Sequence, residues 1–412
     1  MQRGWRSGAR VVVAMLALAV TAGVTVGCGD DGSSEDTASK TTIKIGQILP
    51  VGGEVSYPSR AAALRAAVRA INEDGGIGGN EVEVVFCNEA NDPNAAAACA
   101  RKLADEKVVA EVGGVSITAE KQVATILDAA GIPQVADTAL SQGFLDSPNE
   151  FLISSGIGEP VGNVKTCADA GFRKIGIPYL DIPSSPLYLD MMRSVAAESG
   201  AEVVSTVVVP ITATDVSAQA STLRKAGADC IAPILLNFQA IAMLNALKQF
   251  GGDYRMAIAA GAYTAEQWEE SLTKFADDLI VTSHYPPLSA QDQYPELERF
   301  VAEMRAAKAA GDEDVNTGQF VGNDINVWLG MQAIRQVMED GDVEPTAAGL
   351  MEALRGVDGL DLGLVPPWSP NSPGPDGYSR LWAVWEYQGA YEDGTLVLTK
   401  DEPDNLLPML GL

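Results

Sequence analysis

The residues best suited to chemistry in this 412-residue chain are hydroxyls and aromatic rings at the ends of predicted strands. Gly113-Gly114-Val115-Ser116 follows a predicted strand, Val108 to Val112, and leads into a predicted helix from about Thr118 to Ala130. A helix N-terminus offers unpaired N–H groups and a positive dipole end, so an anionic group is stabilised there. The glycines let backbone approach such a group, and the Ser116 hydroxyl adds a hydrogen bond. The competing reading is that Ser116 only caps its helix. Tyr57, Tyr179, Phe238, Tyr263 and Tyr285 fall at predicted strand ends or loops. With Asn237 they outline an apolar pocket with few polar anchors, although each ring alone is ordinary packing. These residues hold a molecule rather than transform one. His284, the single histidine, has no Ser or Cys partner in a GxSxG setting. Neither a P-loop nor a GxGxxG fingerprint is present, so no cofactor and no catalytic residue is expected.

Arg3, Arg6 and Arg10 precede a run of small apolar residues, Val11 to Val26, which ends in Thr25-Val26-Gly27-Cys28. A basic start, an apolar stretch and a small residue before the cleavage point form an export signal, residues 1–27. The run is short for a membrane span, which needs about 20 residues. A Cys directly after the small residue resembles the lipobox of bacterial lipoproteins, in which Cys28 is acylated and becomes the N-terminus. Thr25 departs from that pattern, where Leu is usual. An ordinary secretory signal and a transmembrane anchor are the alternatives. Residues 28–41 then form a lipid anchor and tether, since they lack apolar periodicity. The four other cysteines suggest two disulfides in an exported chain. Cys87–Cys99 joins a strand end to the following helix, and Cys167–Cys230 ties a helix to a neighbouring strand. Metal binding is the rival reading, but one histidine and no CxxC pair supply a zinc site poorly.

Loss of the leader removes three arginines and no acid, leaving 25 basic and 55 acidic residues, a formal charge of −30. Such a surface repels phosphate backbones, which excludes nucleic acid as a partner. The remaining length suits two domains.

The positioning elements alternate. Predicted strands are Thr42 to Leu49, Val82 to Phe86, Val108 to Val112 and Pro133 to Ala136, with helices Arg60 to Asn72 and from Asp92-Pro93 through Ala104 between them. The pattern restarts with strands Lys174 to Tyr179, Glu202 to Val209, Cys230 to Leu235 and Met256 to Ala260. Helices Leu187 to Ser199, Val216 to Ala226 and Ala240 to Phe250 intervene. Strands in alternation with helices imply right-handed βαβ units and parallel sheets. Leu279 to Ser283 reads as a further strand, followed by helices Tyr294 to Ala309 and Gly318 to Met338. A Pro-rich loop and a last hairpin, Leu381 to Tyr387 with Leu396 to Leu398, end the chain.

Ala70-Ile71-Asn72-Glu73-Asp74-Gly75-Gly76-Ile77-Gly78-Gly79 resembles the first helix and turn of the leucine/isoleucine/valine-binding family of type I periplasmic binding proteins. Val85 to Lys102, Gly131-Ile132-Pro133 and Leu279 to Tyr285 continue the resemblance in order. It implies an α/β fold of two doubly wound parallel-sheet domains joined by a three-segment hinge. The lobes implied are 42–160 with 284–365, and 161–283 with 366–412. It further implies a monomeric solute receptor of an ABC importer, closing over a small carboxylate-bearing or amino-acid-like metabolite and docking on permease subunits. A lipid-anchored sensor of the same fold is the alternative. Ser116 then meets the ligand carboxylate, Thr138, Ala139 and Ser141 form the next carboxylate loop, and Tyr57 falls within one residue of a pocket tyrosine. The second lobe departs from the family. Ser184 stands where Asp181-x-x-Tyr would place a tyrosine. The acid that pairs with a ligand ammonium would fall near Gly261-Ala262-Tyr263, where no carboxylate stands. A buried ammonium without a counter-charge is costly, so a ligand lacking a free amine is expected unless Asp181 or Glu266 substitutes.

Overall fold

Ile43–Leu49 (β1) is buried along nearly its whole length, as expected of the central strand of a sheet covered on both faces. In this computed structural model it is flanked in parallel by Val82–Asn88 (β2) and Ala110–Val112 (β3). The sheet continues in parallel through Gln134–Val135 (β4) and Glu150–Phe151 (β5), in the order β2-β1-β3-β4-β5. The structure describes residues 41–412 except 54, 155–156, 183, 252, 264–266, 319–321, 383 and 393–394. The leader, Cys28, most of the tether and Glu266 lie outside the described residues.

A second sheet has the order β12-β11-β10-β9-β8-β6-β7. Lys174–Leu180 (β6), Glu202–Val209 (β7), Cys230–Ile231 (β8), Arg255–Ala259 (β9) and Leu279–Ser283 (β10) run parallel. Trp385–Glu392 (β11) joins antiparallel to β10 and carries Thr395–Leu398 (β12). In each sheet the strand order reverses beside the first strand, between β1 and β3 and between β6 and β8. Ligands bind outside the carboxyl ends of strands at such switch points.

Helices cover the sheets. Pro58–Glu73 (α1) packs on the first sheet against Pro295–Ala309 and Gly322–Asp340. The last of these is buried on nearly every side, and Gly330 lets it approach Ala136 and Val112. Asp92 caps Pro93–Glu106 (α2) by accepting from the N–H groups of Asn94 and Ala95, a contribution of about 1 kcal/mol. Glu120–Ala130 (α3) packs against the short Gln142–Leu145 (α4), and Gly158–Asp169 (α5) and Ser185–Glu198 (α6) pack together beside the second sheet. The chain therefore passes between the sheets after β5, after β10, and ahead of β11.

Both expected disulfides are present. Cys87–Cys99 spans Cα atoms 5.5 Å apart, and Cys167–Cys230 spans 6.0 Å. Four differences separate the expected elements from the observed ones most clearly. Cys230 to Leu235 is ordered as a strand only to Ile231, because Pro233 has no N–H to give the ladder. The hairpin begins at Trp385 rather than Leu381. β5 and the helix Ala347–Arg355 were not expected from the sequence; a two-residue strand carries no readable period.

Candidate functional site

A cleft of about 680 Å³ opens at the carboxyl ends of both sheets. One wall is the loop after β1 and the start of α1, with the loops after β3 and β4. The other comes from the loops after β6, β8 and β9, and its floor from the passages between sheets. Tyr57, Thr138, Ser184, Asn237 and Tyr263 all line it.

Arg60 dominates the first wall. It sits in the first turn of α1 and is 7% exposed, with its guanidinium 4.4 Å from the centre of the Tyr57 ring. Its Nη1 donates to the Thr138 Oγ1 at 2.9 Å. Among the described residues no carboxylate oxygen lies within 4.0 Å of that guanidinium. Asp324 is in the same wall, but it accepts from Ser59 Oγ at 3.0 Å, and burial lifts its carboxyl to about 6 despite that bond and the Arg60 charge. A cation in the first turn of a helix opposes the dipole. This misplaced charge is a signal that the apolar spacing of Ala61, Leu64, Val68 and Ile71 conceals.

Thr138 is fixed from beneath. Its N–H donates to Gly114 O at 2.9 Å, and Gly114 N–H donates to the Asp137 Oδ1 at 2.8 Å. Asp137 shares its buried surroundings with Glu111, whose Oε1 accepts from the Ile48 N–H at 3.1 Å. Burial raises both carboxyls, and the Asp137 charge raises Glu111 further. A Cβ at Gly114 would collide with the Glu111 Oε1, and one at Gly113, where φ is +69°, with Val327. The two glycines thus make room for these side chains, a different use from the ligand approach expected of them.

Several expected residues stand elsewhere. Ser116 is 2% exposed, beside the Glu89 carboxylate and away from the cleft wall. Ala139 is buried in the core. Ser141 caps Gln142–Leu145 through Gly143 N–H at 3.2 Å. Glu120 collects the N–H groups of Leu140, Ser141 and Phe144 at 3.2, 3.0 and 3.1 Å, so the loop amides are taken by protein. Tyr179 and Phe238 are partly buried off the cleft, and Asp181 is exposed to solvent. Tyr285 is in the first core, its hydroxyl donating to Asn326 Oδ1 at 2.6 Å.

The second wall is apolar, from Leu180, Ile182, Pro233, Ile234 and Ile258. Its polar groups are few. Ser184 faces in, while Asn237 donates to Ala262 O at 3.0 Å and to Gln267 Oε1 at 3.2 Å. Tyr263 is held edge-on to Trp268 with ring centres 6.0 Å apart.

At the floor stands His284, flanked by two acids that composition alone did not suggest. Its Nδ1 lies 2.9 Å from Glu386 Oε1 and its Nε2 3.9 Å from Glu159 Oε1. Burial pulls the imidazole pKa down, but the two carboxylates outweigh it and bring it to about 9. Burial lifts Glu386 to about 7 against the attraction of His284. A Cβ at Gly158 would collide with His284 and Glu386, and one at Gly162 with Glu386. One acid or imidazole comes from each passage between the sheets: Glu159 at the start of α5, His284 after β10, Glu386 at the start of β11. Among the described residues no cluster of three His, Cys, Asp or Glu is placed to hold a metal.

A profile described as "Periplasmic binding protein" matches residues 42–374. The fold is shared with many solved structures. A fatty acid ABC transporter substrate-binding protein from Thermomonospora curvata superimposes with a TM-score of 0.74 at 17% identity, over 90% of this chain and 95% of that one. An ABC-transporter solute binding protein from R. palustris in complex with 4-hydroxybenzoate gives 0.71 at 23%, over 90% and 99%. A branched-chain amino acid ABC transporter protein from Thermus thermophilus with bound valine gives 0.70 at 15%, over 89% and 97%. Among curated proteins none matches the chain in sequence.

Proposed function

The chain belongs to the periplasmic binding protein family, and from that premise we propose that it is the extracytoplasmic receptor of an ABC importer, holding a small carboxylate between its lobes. Arg60 carries this reading. It is a buried guanidinium facing the cleft with a neutral hydroxyl as its hydrogen-bond partner, at the N-terminus of a 16-residue helix. A carboxylate there gains two charge-assisted hydrogen bonds and the helix dipole. The fold relatives are named for acids of different shape, a fatty acid, 4-hydroxybenzoate and valine. They support a carboxylate and leave its side group open.

In this reading the lobes are 42–160 with 284–365, and 161–283 with 366–412. Binding shifts the population toward a closed form that docks on a permease. The receptor works as a monomer, tethered through acylated Cys28. Two disulfides suit that exported setting. A mature N-terminus at any residue other than 28 would refute the anchor. The receptor itself is tested by thermal shift with 4-hydroxybenzoate, valine and octanoate, followed by scattering with whichever binds. Stabilisation and a smaller radius of gyration are expected. No stabilisation by any carboxylate would contradict the reading.

A further inference from the structure

Two opposite charges face the same cleft without meeting. The Arg60 guanidinium donates to Thr138 on the first wall. The Glu159 carboxylate, in a side chain 17% exposed, stands at the floor with His284 Nε2 as its nearest charge at 3.9 Å. Among the described residues neither finds an ion-pair partner closer than that, and no hydrogen-bond donor reaches Glu159. Partly buried charges left this way keep only part of their solvation, which polar groups of an occupant of the cleft would replace.

His284 Nε2 lies 3.9 Å from Glu159, a charge contact beyond hydrogen-bond reach, while its Nδ1 is 2.9 Å from Glu386, so the hydrogen-bonding capacity of Glu159 is left for a ligand. Glu159 is held in place by its position in the first turn of α5, where Gly158 packs against His284 and Glu386. The opposite wall is apolar, and Gly261-Ala262-Tyr263, which does line the cleft, brings no acid. Asp324 is occupied by Ser59, and Glu313 and Asp314, which also line the cleft, pair with Lys308 and Arg65 at 3.5 Å. Among the described residues Glu159, on the passage between sheets, is thus the cleft acid without a hydrogen-bond donor.

We propose that Glu159 is a specificity-determining residue that accepts a hydrogen bond from an ammonium or hydroxyl group on the ligand, so the receptor takes small acids bearing such a donor. This rests on the assignment of Arg60 to the ligand carboxylate. A bare acid satisfies Arg60 and leaves Glu159 desolvated and unpaired as the lobes close, so the site rejects it.

The test is calorimetric titration with matched pairs: leucine and 4-methylpentanoate, 4-(aminomethyl)benzoate and 4-methylbenzoate, 4-hydroxybenzoate and benzoate. In at least one pair the donor-bearing acid should bind tenfold or more tighter. Glu159→Gln should erase the preference for an ammonium, which needs the charge. For a hydroxyl the amide oxygen still accepts, so the preference should survive Glu159→Gln and vanish in Glu159→Leu. Near-ultraviolet circular dichroism checks that each variant is folded. Bare acids binding as tightly as their partners, or a preference unchanged in both variants, would overturn the role of Glu159. In that event loss of binding in Arg60→Gln would leave the carboxylate assignment standing. Failure of every acid to bind would overturn both.

Discussion

Arg60 Nη1 donates to Thr138 Oγ1 across 2.9 Å, joining the first turn of a helix to the loop after β4. The contact aims a buried cation at the cleft and leaves the rest of its fork for a ligand. Thr138 in turn rests on Gly114 and Asp137. Replacing Thr138 by Val keeps the shape and removes the acceptor. Its affinity for a bound carboxylate should fall about tenfold, roughly 1.4 kcal/mol. Calorimetry reads this directly.

Gly114→Ala should destabilise the fold by roughly 1–3 kcal/mol, since the new methyl group displaces the carboxyl that holds β1. Chemical denaturation measures it. A variant as stable as the native chain would show that Glu111 has other space to occupy.

The His284 pKa of about 9 lies above its unfolded value of 6.5, so the folded state binds the proton more tightly. The stability this supplies is fully present below pH 6.5 and lost as pH rises through about 9. The charges facing the ring are Glu386 from β11 and Glu159 from α5. His284→Gln should therefore cost more at pH 6 than at pH 9.5, by up to roughly 3 kcal/mol. Thermal unfolding of both proteins at the two pH values gives the difference.

The disulfides should differ in weight. Cys87 and Cys99 are 12 residues apart, and Cys167 and Cys230 are 63 apart. Loop-closure entropy gives roughly 3 kcal/mol for the first and roughly 4 for the second. Paired alanine variants, compared by denaturation, test the order.

Ser116→Ala should change affinity less than threefold, because the hydroxyl is buried beside Glu89. The sequence pointed to Ser116 through its glycine loop, and that loop does border the cleft through Val115 and Ile117. A loop is legible from composition, but the direction of a side chain within it is set by packing. The parallel strands were readable because short runs such as Ile43–Leu49, with Ile43, Ile45, Ile48 and Leu49 apolar and buried, alternate with helical patterns. Glu202–Val209 and Leu279–Ser283 fall where their patterns place them. Glu159, His284 and Glu386 were not readable as a group. They lie on three separate passages of the chain, and only the folded topology gathers them. Arg60 left a local trace, a cation at the wrong end of a helix, which a reading for apolar spacing passes over.

The central claim is that Arg60 binds the ligand carboxylate. It is tested most directly by titrating the tightest-binding acid, and its primary amide, into the native receptor and into Arg60→Gln. The native protein should prefer the acid over the amide by ten- to a hundredfold, roughly 1.4–3 kcal/mol. Arg60→Gln should bind both equally and weakly. An unchanged preference for the acid in Arg60→Gln would contradict the account.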